Sequence, residues 1–251
     1  MNRPLKGKRV AITSGPTRAW IDAVRFISNR STGALGVAIA EVCLREGAKV
    51  TLFHGVESLL PRPHPRLKVV GIETVDDLVR ELRRRLPKEG YDVFFHAMAV
   101  LDYIPQSERN GKIPSGRKTL TLRLEKTPKV INVIKELSPR TILVGFKLEV
   151  GATKGQLAKS AKRLMKSSKA DFVLANDLRT VERGRHVGYL LDGESGFRGP
   201  FKWKENIARA LVEAVKENIR SQPKMLAEKL KFCNASVSRG THHRERRGHR
   251  E

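Results

Sequence analysis

The stretch Asp22-Ala-Val-Arg-Phe-Ile-Ser-Asn-Arg-Ser-Thr-Gly-Ala-Leu-Gly36 decides how this chain is read. It follows an apolar run, Arg9-Val-Ala-Ile-Thr13, and the turn Ser14-Gly15-Pro16-Thr17. It continues into a segment whose apolar residues recur at helical spacing. A strand, a hydroxyl- and glycine-rich loop and then a helix form an arrangement that holds a phosphate. The helix N-terminus presents unpaired N–H donors and a partial positive charge. Ser31 or Thr32 is expected to cap that helix, and Gly33 and Gly36 remove side chains where an anion or the sheet must come close. Arg18, Arg25 and Arg30 add positive charge nearby. Gly33-x-x-Gly36 is only half of the dinucleotide pattern G-x-G-x-x-G, a weak signal alone. Spacing by itself reads the cassette Arg25-Phe-Ile-Ser-Asn29 as a solvated surface loop.

Outward from this stretch, short apolar runs bounded by turns recur at Arg9–Thr13, Lys49–Phe53, Leu67–Ile72, Asp92–His96, Thr141–Phe146 and Asp171–Ala175. Continuous runs rich in Val, Ile, Leu and Phe are how strands buried on both faces of a parallel sheet read. Helical stripes lie between them: Leu35, Ile39, Val42 and Cys43, with Gly47 as the stop; then Val75, Leu78, Val79, Leu82 and Leu86. A third stripe, Val130, Val133, Ile134 and Leu137, follows Thr127 as a candidate cap and Pro128 in the first turn. Trp203, Ile207, Leu211, Val215 and Ile219 make the last. This alternation predicts an α/β fold with a doubly wound, mainly parallel, Rossmann-like sheet and ligands beyond the carboxyl ends of its strands. One segment breaks the rhythm. Residues 111–125 begin as a polar loop and end with Leu120, Leu122 and Leu124 alternating with polar residues, a pattern for an antiparallel strand with one wet face.

The chain has 251 residues, of which 39% are hydrophobic, enough for one large domain. That domain is expected over residues 1–222, followed by a basic tail, 223–251, that is polar, aperiodic and expected to be disordered. Leu226–Phe232 can add a short helix there. His242, His243 and His249 have no Cys or carboxylate cluster at ligand spacing, so no protein metal site is expected. No apolar run approaches the ~20 residues of a membrane span. The basic N-terminus lacks a hydrophobic signal region, and the two cysteines, Cys43 and Cys233, stand apart. These features predict a cytoplasmic chain with reduced thiols and no membrane partner. The net charge of +24 invites a nucleic-acid partner, but the charge is spread along the chain and aromatics are only 6%. No specific nucleic-acid binding is expected; anionic substrates account for the same bias.

Thr13-Ser-Gly-Pro-Thr-Arg18, Val24-Arg-Phe-Ile-Ser-Asn29 and Ser31-Thr-Gly-x-x-Gly36 together resemble the phosphopantothenate–cysteine ligase family. Further pieces match in order: His96-Ala-Met-Ala-Val-Leu-Asp102-Tyr103, Gly111-Lys-Ile-Pro-Ser115, Glu125-Lys-Thr-Pro128, Gly145-Phe-Lys-Leu-Glu149 and Ala175-Asn-Asp177. The resemblance covers roughly residues 8–220. Because the cassette begins so early, the chain looks like a stand-alone form of the ligase. The family's reaction activates the carboxylate of 4′-phosphopantothenate on the α-phosphorus of a nucleoside triphosphate. The amine of L-cysteine then displaces the nucleotide. The resemblance implies Mg²⁺ as cofactor and ATP or CTP as co-substrate, with Lys147-Leu148 looking more like the ATP-using branch. It also implies a homodimer, because in the family a flap such as 111–125 crosses to the partner protomer.

Carried over residue by residue, the resemblance implies Asn29, Lys112 and Arg25 as catalytic residues. Asn29 would hold the acyl-nucleotide, Lys112 would neutralise the reacting phosphates, and Arg25 would hold the substrate carboxylate or structure the loop. Ala99 joins Arg25 and Asn29 as substrate contacts. Nucleotide contacts are implied for Ser14, Gly15, Thr17, Ser31, Ala97, Met98, Ala99, Asp102, Lys126, Thr127, Pro128, Phe146, Lys147, Lys162 and Lys166. Met98 and His96 depart from the family's small residues. Lys162 and Lys166 share a helix face through their four-residue spacing, whereas Lys159 and Arg163 read as solvated. The rival reading, a short-chain NAD(P)-dependent oxidoreductase, lacks a complete glycine pattern after the first strand. It also lacks the Tyr-x-x-x-Lys pair that proton transfer in such enzymes needs.

Overall fold

The computed structural model describes residues 4–116, 118–182, 185–193 and 196–221. The tail 223–251, with Leu226–Phe232, Cys233 and its three histidines, lies outside the described residues. The apolar runs become β1 (Arg9–Ser14), β4 (Lys49–Gly55), β5 (Leu67–Ile72), β6 (Val93–His96), β9 (Ile142–Glu149) and β10 (Phe172–Asp177). Two further strands, β11 (Val187–Asp192) and β12 (Gly196–Lys202), complete a sheet of order β12-β11-β10-β9-β6-β1-β4-β5. Pairing is parallel from β5 through β10 and antiparallel for β10–β11–β12.

Helices cover both faces. Helix α1 (Ala34–Arg45) and a final helix, α6 (204–221), pack on one face, where Ile39, Cys43, Ile207 and Leu211 meet Val10, Ile12, Leu52 and Phe95. Helices α2 (Val75–Glu89), α3 (Val130–Leu137) and α4 (Lys154–Ser168) pack on the other, where Leu82, Ile134 and Leu157 meet Ala11, Phe53, Phe94 and Val173. Successive residues of β1 therefore enter opposite cores, which is why the run reads as continuously apolar. The expected doubly wound fold is present. The edge strand β5 is the exception to two-sided burial: Val69 is exposed.

Several local expectations change. Neither Ser31 nor Thr32 is the N-cap of α1; Gly33 is, at φ 76, with no side-chain cap. A left-handed start is open to glycine and leaves the first N–H groups aimed outward. Thr127 does not cap α3. Lys129 stands at that N-cap, and Pro128 precedes it rather than occupying the first turn. Trp203 is not on the α6 stripe. It precedes the helix at φ 70 and is exposed. The stop at Gly47 is as expected: its N–H reaches Leu44 O and that of Ala48 reaches Cys43 O, a Schellman closure. The alternating segment shortens to β8 (Leu124–Lys126), paired antiparallel with β7 (Tyr103–Pro105), and Leu120, Leu122 and Leu124 are all exposed. An alternating strand needs an apolar surface beneath it, and this chain alone supplies none there.

Gly36 sets the distance between α1 and β1. A Cβ there would lie 2.5 Å from Ser14 Cβ and 3.3 Å from Ser14 Cα. Gly36→Ala gains ~1 kcal/mol of helix propensity. It forces the helix off the strand at ~1–3 kcal/mol, because Ser14 Cβ is fixed by its own backbone and cannot rotate away. The expected outcome is a lower melting temperature, read by thermal denaturation.

Candidate active site

The carboxyl ends of β1, β4 and β6 meet in one place. The ladder continues past the sheet: Ala97 N donates to Thr13 O (3.1 Å), Ala99 N to Gly15 O (2.9 Å) and Thr17 N to Ala99 O (3.3 Å). A Cβ on Gly55 would strike the Pro16 carbonyl, so β4 ends directly against this turn. Gly15, at φ +80, and Gly33 complete a cradle in front of α1. The cradle carries few free side chains. Ser14 is fully buried and its hydroxyl donates to Gly33 O (2.9 Å); Thr17 is fully buried and its hydroxyl accepts from Leu101 N (3.0 Å). Both were expected on the nucleotide. In the fold both oxygens shape the turn. Ser31 Oγ accepts weakly from Gly33 N (3.4 Å) and is partly exposed.

A short hairpin, β2 (Arg18–Trp20) and β3 (Phe26–Ser28), carries the cassette. At its base, Asn29 Nδ2 donates to Ala99 O (3.2 Å) and Val100 O (3.1 Å). Two carbonyl partners settle which end of the amide is nitrogen. The oxygen is left to accept from a ligand. At the hairpin tip, Arg25 is tied to its own loop and to the flap. Its guanidinium binds the Asp22 carboxylate and donates to Ile113 O (2.8 Å), while Ile113 N donates to Asp22 Oδ2 (3.0 Å). Asp22 is fully buried, and the Arg25 guanidinium holds its carboxyl well below the usual carboxylate range. Arg25 thus structures the loop, with its side chain still partly exposed.

This clamp fixes the backbone beside Lys112. Ile113 is buried, whereas the Lys112 side chain is exposed and has no ion pair among the described residues. Asn29 thus stands at the base of the hairpin, and Lys112 follows the flap backbone that is tied to its tip. The structure brings together Asn29, Ala99 and the cradle, and leaves the Lys112 side chain exposed.

The remaining residues form the wall. Asp102 is exposed and pairs with Lys129 Nζ at 2.6 Å, a partner sequence reading missed. Thr127 N donates to Asp102 O (3.0 Å) and its hydroxyl to Leu101 O (2.6 Å), so the 126–128 turn continues the β7–β8 ladder onto the segment after β6. Thr127 is therefore structural, with Lys126 and Pro128 exposed on either side. Met98 is buried in the core and presents only backbone; Ala97 and Ala99 are partly exposed. Phe146 and Lys147 are half-buried on β9, with Lys147 3.5 Å from Glu149. The Ser160 hydroxyl and then Lys147 hold the Glu149 carboxyl below its usual range, while Arg163 is exposed. Lys162 and Lys166 are exposed on α4. Ser58 was also missed. Its buried hydroxyl has no hydrogen-bond partner among the described residues, and its Cβ lies 2.6 Å from where a Gly15 Cβ would stand. No sequence signal marks it beyond its place after β4.

Among the described residues no three His, Cys, Asp or Glu side chains group as metal ligands, and no helix is long and apolar enough to cross a membrane.

A family model described as the DNA/pantothenate metabolism flavoprotein C-terminal domain matches residues 5–219. The chain belongs to this family. A relative from Thermococcus kodakarensis, named coenzyme A biosynthesis bifunctional protein CoaBC, is 35% identical over 215 residues, covering 86% of this chain and 52% of its own length. The chain spans about half the length of the curated relatives it matches. The crystal structure of the DNA/pantothenate metabolism flavoprotein from Streptococcus pneumoniae superposes at TM-score 0.77 with 33% identity, over 84% of this chain and all of that one. The C-terminal domain of a CoaBC protein superposes at TM-score 0.72 with 26% identity, over 88% of this chain and all of that domain. Residues that build the cradle and hairpin all fall inside the family match.

The two buried imidazoles make the fold acid-sensitive. His96 accepts or donates at 2.9 Å to Thr13 Oγ1 under the cradle, and His186 is buried at the start of β11. Burial lowers both to about 4 from 6.5. Below pH 6.5 the unfolded chain takes up these protons and the folded chain does not. Stability is therefore full above about 6.5 and declines as pH falls towards 4, by up to roughly 3 kcal/mol per imidazole. The lowered carboxylates, including Asp22, act in the same direction but only below the ordinary carboxylate range. Urea titrations at pH 7.5 and 5 are expected to show a lower midpoint at pH 5, with part of the difference lost in His96→Gln.

Proposed function

We propose that this chain is a phosphopantothenate–cysteine ligase acting in coenzyme A synthesis. The carboxylate oxygen of 4′-phosphopantothenate attacks the α-phosphorus of ATP or CTP, releasing pyrophosphate and forming an acyl-nucleotide. The cysteine nitrogen then attacks the acyl carbon, loses a proton, and expels the nucleoside monophosphate as the amide forms. The first step joins two anions, so it needs alignment and charge neutralisation more than a strong base. One observation carries the reading: inside a family match spanning residues 5–219, Asn29 is pinned by its nitrogen to the end of β6 with its oxygen free beside the cradle.

In this reading the cradle backbone at Gly15 and Gly33 and the N-terminus of α1 receive anionic oxygens. The Asn29 oxygen accepts from the incoming cysteine amine, and Lys112 neutralises the reacting phosphates. Lys126, Lys147, Lys162 and Lys166 extend the positive field. Mg²⁺ fits as a chelate of the triphosphate, which supplies most of its oxygens, with the exposed Asp102, paired with Lys129, as the nearest carboxylate of the wall; a cage of protein ligands is not needed. The preference between ATP and CTP rests on Lys147-Leu148 and leans to ATP. A homodimer accounts for the exposed Leu120, Leu122, Leu124, Tyr103, Val24 and Phe26 around the flap. A second protomer there would cover these apolar side chains and bring a Lys112 amine across to the opposing Asn29. The oxidoreductase alternative finds no support in the cradle, where Gly33 and Gly36 serve helix entry and helix–strand contact.

Purified protein supplied with phosphopantothenate, cysteine and Mg²⁺ is expected to release pyrophosphate with ATP or CTP. It is expected to form the amide only when cysteine is present. Absence of pyrophosphate with both nucleotides would overturn the proposal.

A further inference from the structure

At the other side of the sheet lies a cavity of about 340 Å³ lined by Arg179, Thr180, Arg185, Val187, Lys202 and Trp203. It opens at the carboxyl end of β10, where α5 (Leu178–Glu182) leaves the sheet and the β11–β12 pair begins. Four strand spacings separate β1 from β11, so it stands about 19 Å across the sheet from the cradle.

Its lining is strongly cationic for a surface hollow. Arg179, Arg185 and Lys202 line one small volume and repel each other there. None of the three has an ion pair among the described side chains. Arg179 is held in place: its guanidinium carbon packs 2.8 Å from where a Gly151 Cβ would stand, and its backbone N donates to Asp177 Oδ1 (2.9 Å). Asp177 Oδ1 also accepts from Gly151 N (3.0 Å), so the loop after β9 and the start of α5 share one acceptor. Thr180 is spent internally, donating to Asp177 O (2.8 Å) and accepting from Val187 N (3.2 Å). Arg185 and Lys202 therefore remain free for a ligand, with Arg179 beside the Asp177 carboxylate. Trp203 is 52% exposed, and its left-handed φ of 70 turns the chain just before α6. A large indole left in water beside three cations matches the two halves of one ligand class. Guanidinium groups take phosphate oxygens in paired hydrogen bonds, and an indole face takes a flat ring.

We propose that this cavity is a second ligand site, for a compound carrying a flat heteroaromatic ring and at least two phosphate charges, as a nucleoside diphosphate does. The volume falls within the range of small-ligand pockets. Stacking on Trp203 supplies contact that tolerates different bases, and Arg179, Arg185 and Lys202 supply the affinity for charge.

The chain has two tryptophans, so Trp20→Phe leaves Trp203 as the sole indole reporter. In that background ADP is expected to change the Trp203 emission saturably, with adenosine alone or pyrophosphate alone at least about tenfold weaker. Arg185→Glu and Lys202→Glu are each expected to weaken ADP by about tenfold or more, with the melting temperature unchanged because both side chains are exposed. No saturable change with ADP would overturn the proposal. So would pyrophosphate binding as tightly as ADP, or affinity indifferent to both charge reversals. Trp203 reports its own cavity, so this result and the ligase assay fail or succeed independently. Equilibrium dialysis with ADP on the same variants gives the matching count of sites, expected to fall by one per chain in Arg185→Glu.

Discussion

Lys112→Ala is expected to slow pyrophosphate release by about 10²–10³-fold with the melting temperature unchanged. The two halves of this expectation come from different parts of the structure. The Lys112 side chain is exposed and has no ion pair among the described residues, so its removal costs the fold nothing measurable. Its backbone is another matter. The next residue, Ile113, is buried and bound through both N–H and C=O to Asp22 and Arg25. A side chain that contributes nothing to stability is thus mounted on one of the most firmly tied points of the flap. That combination suits a group whose charge is needed only while negative charge accumulates between two reacting anions. The variant is measured by pyrophosphate release at saturating substrates, with Lys112→Arg alongside. If Lys112 acts as a point charge, arginine restores a substantial part of the rate. A rate within about twofold of the parent for Lys112→Ala would remove Lys112 from the reaction.

The sheet was legible in the sequence because its strands are buried twice over. Val10 and Ile12 enter one core and Ala11 the other, and no helix or surface strand produces that unbroken apolar run. The β2–β3 hairpin was not legible. Each strand has three residues, too short for periodicity, and the hairpin is held by Ser28 Oγ on Thr17 O and by the Arg18 guanidinium over the Phe26 ring. Strands β11 and β12 were missed because Gly188, Gly196, Gly199 and Pro200 interrupt their pattern. The resemblance brought Asn29, Ala99 and Lys112 to attention; in the fold Asn29 and Ala99 meet beyond the carboxyl ends of β1 and β6, and Lys112 follows the flap beside the Asp22–Arg25 clamp. It could not say which cradle groups face outward. The hydroxyls of Ser14, Thr17 and Thr127 have the right chemistry for a nucleotide, yet buried partners consume all three. Residue type alone does not distinguish a ligand contact from an internal one; only the location of the nearest unpaired carbonyl or N–H does.

Asp22→Asn is expected to cost about 100-fold in pyrophosphate release although Asp22 touches neither proposed substrate. Asp22 opens the cassette but had no role assigned from sequence, because its decisive partner, Ile113, lies 91 residues away. In the fold it is the acceptor for five donors: Val24 N, Arg25 N, Arg25 Nε, Arg25 Nη2 and Ile113 N. It is fully buried, and every donor faces a carboxylate oxygen. Asparagine preserves the volume, so no cavity forms, but it places an NH₂ against N–H donors. It also leaves the Arg25 guanidinium without its countercharge. The hairpin tip and the flap then part, and Lys112 loses its anchor while every residue at the cradle is retained. Three measurements separate this from simple unfolding. The melting temperature falls, but the chain remains folded at 25 °C. Trypsin cleaves faster after Lys112. The rate falls at saturating nucleotide and not merely through a higher Michaelis constant. Combining Asp22→Asn with Lys112→Ala decides the mechanism: if Asp22 acts by holding Lys112, the double variant is no slower than Lys112→Ala alone. A multiplicative loss would mean that Asp22 serves the reaction by another route.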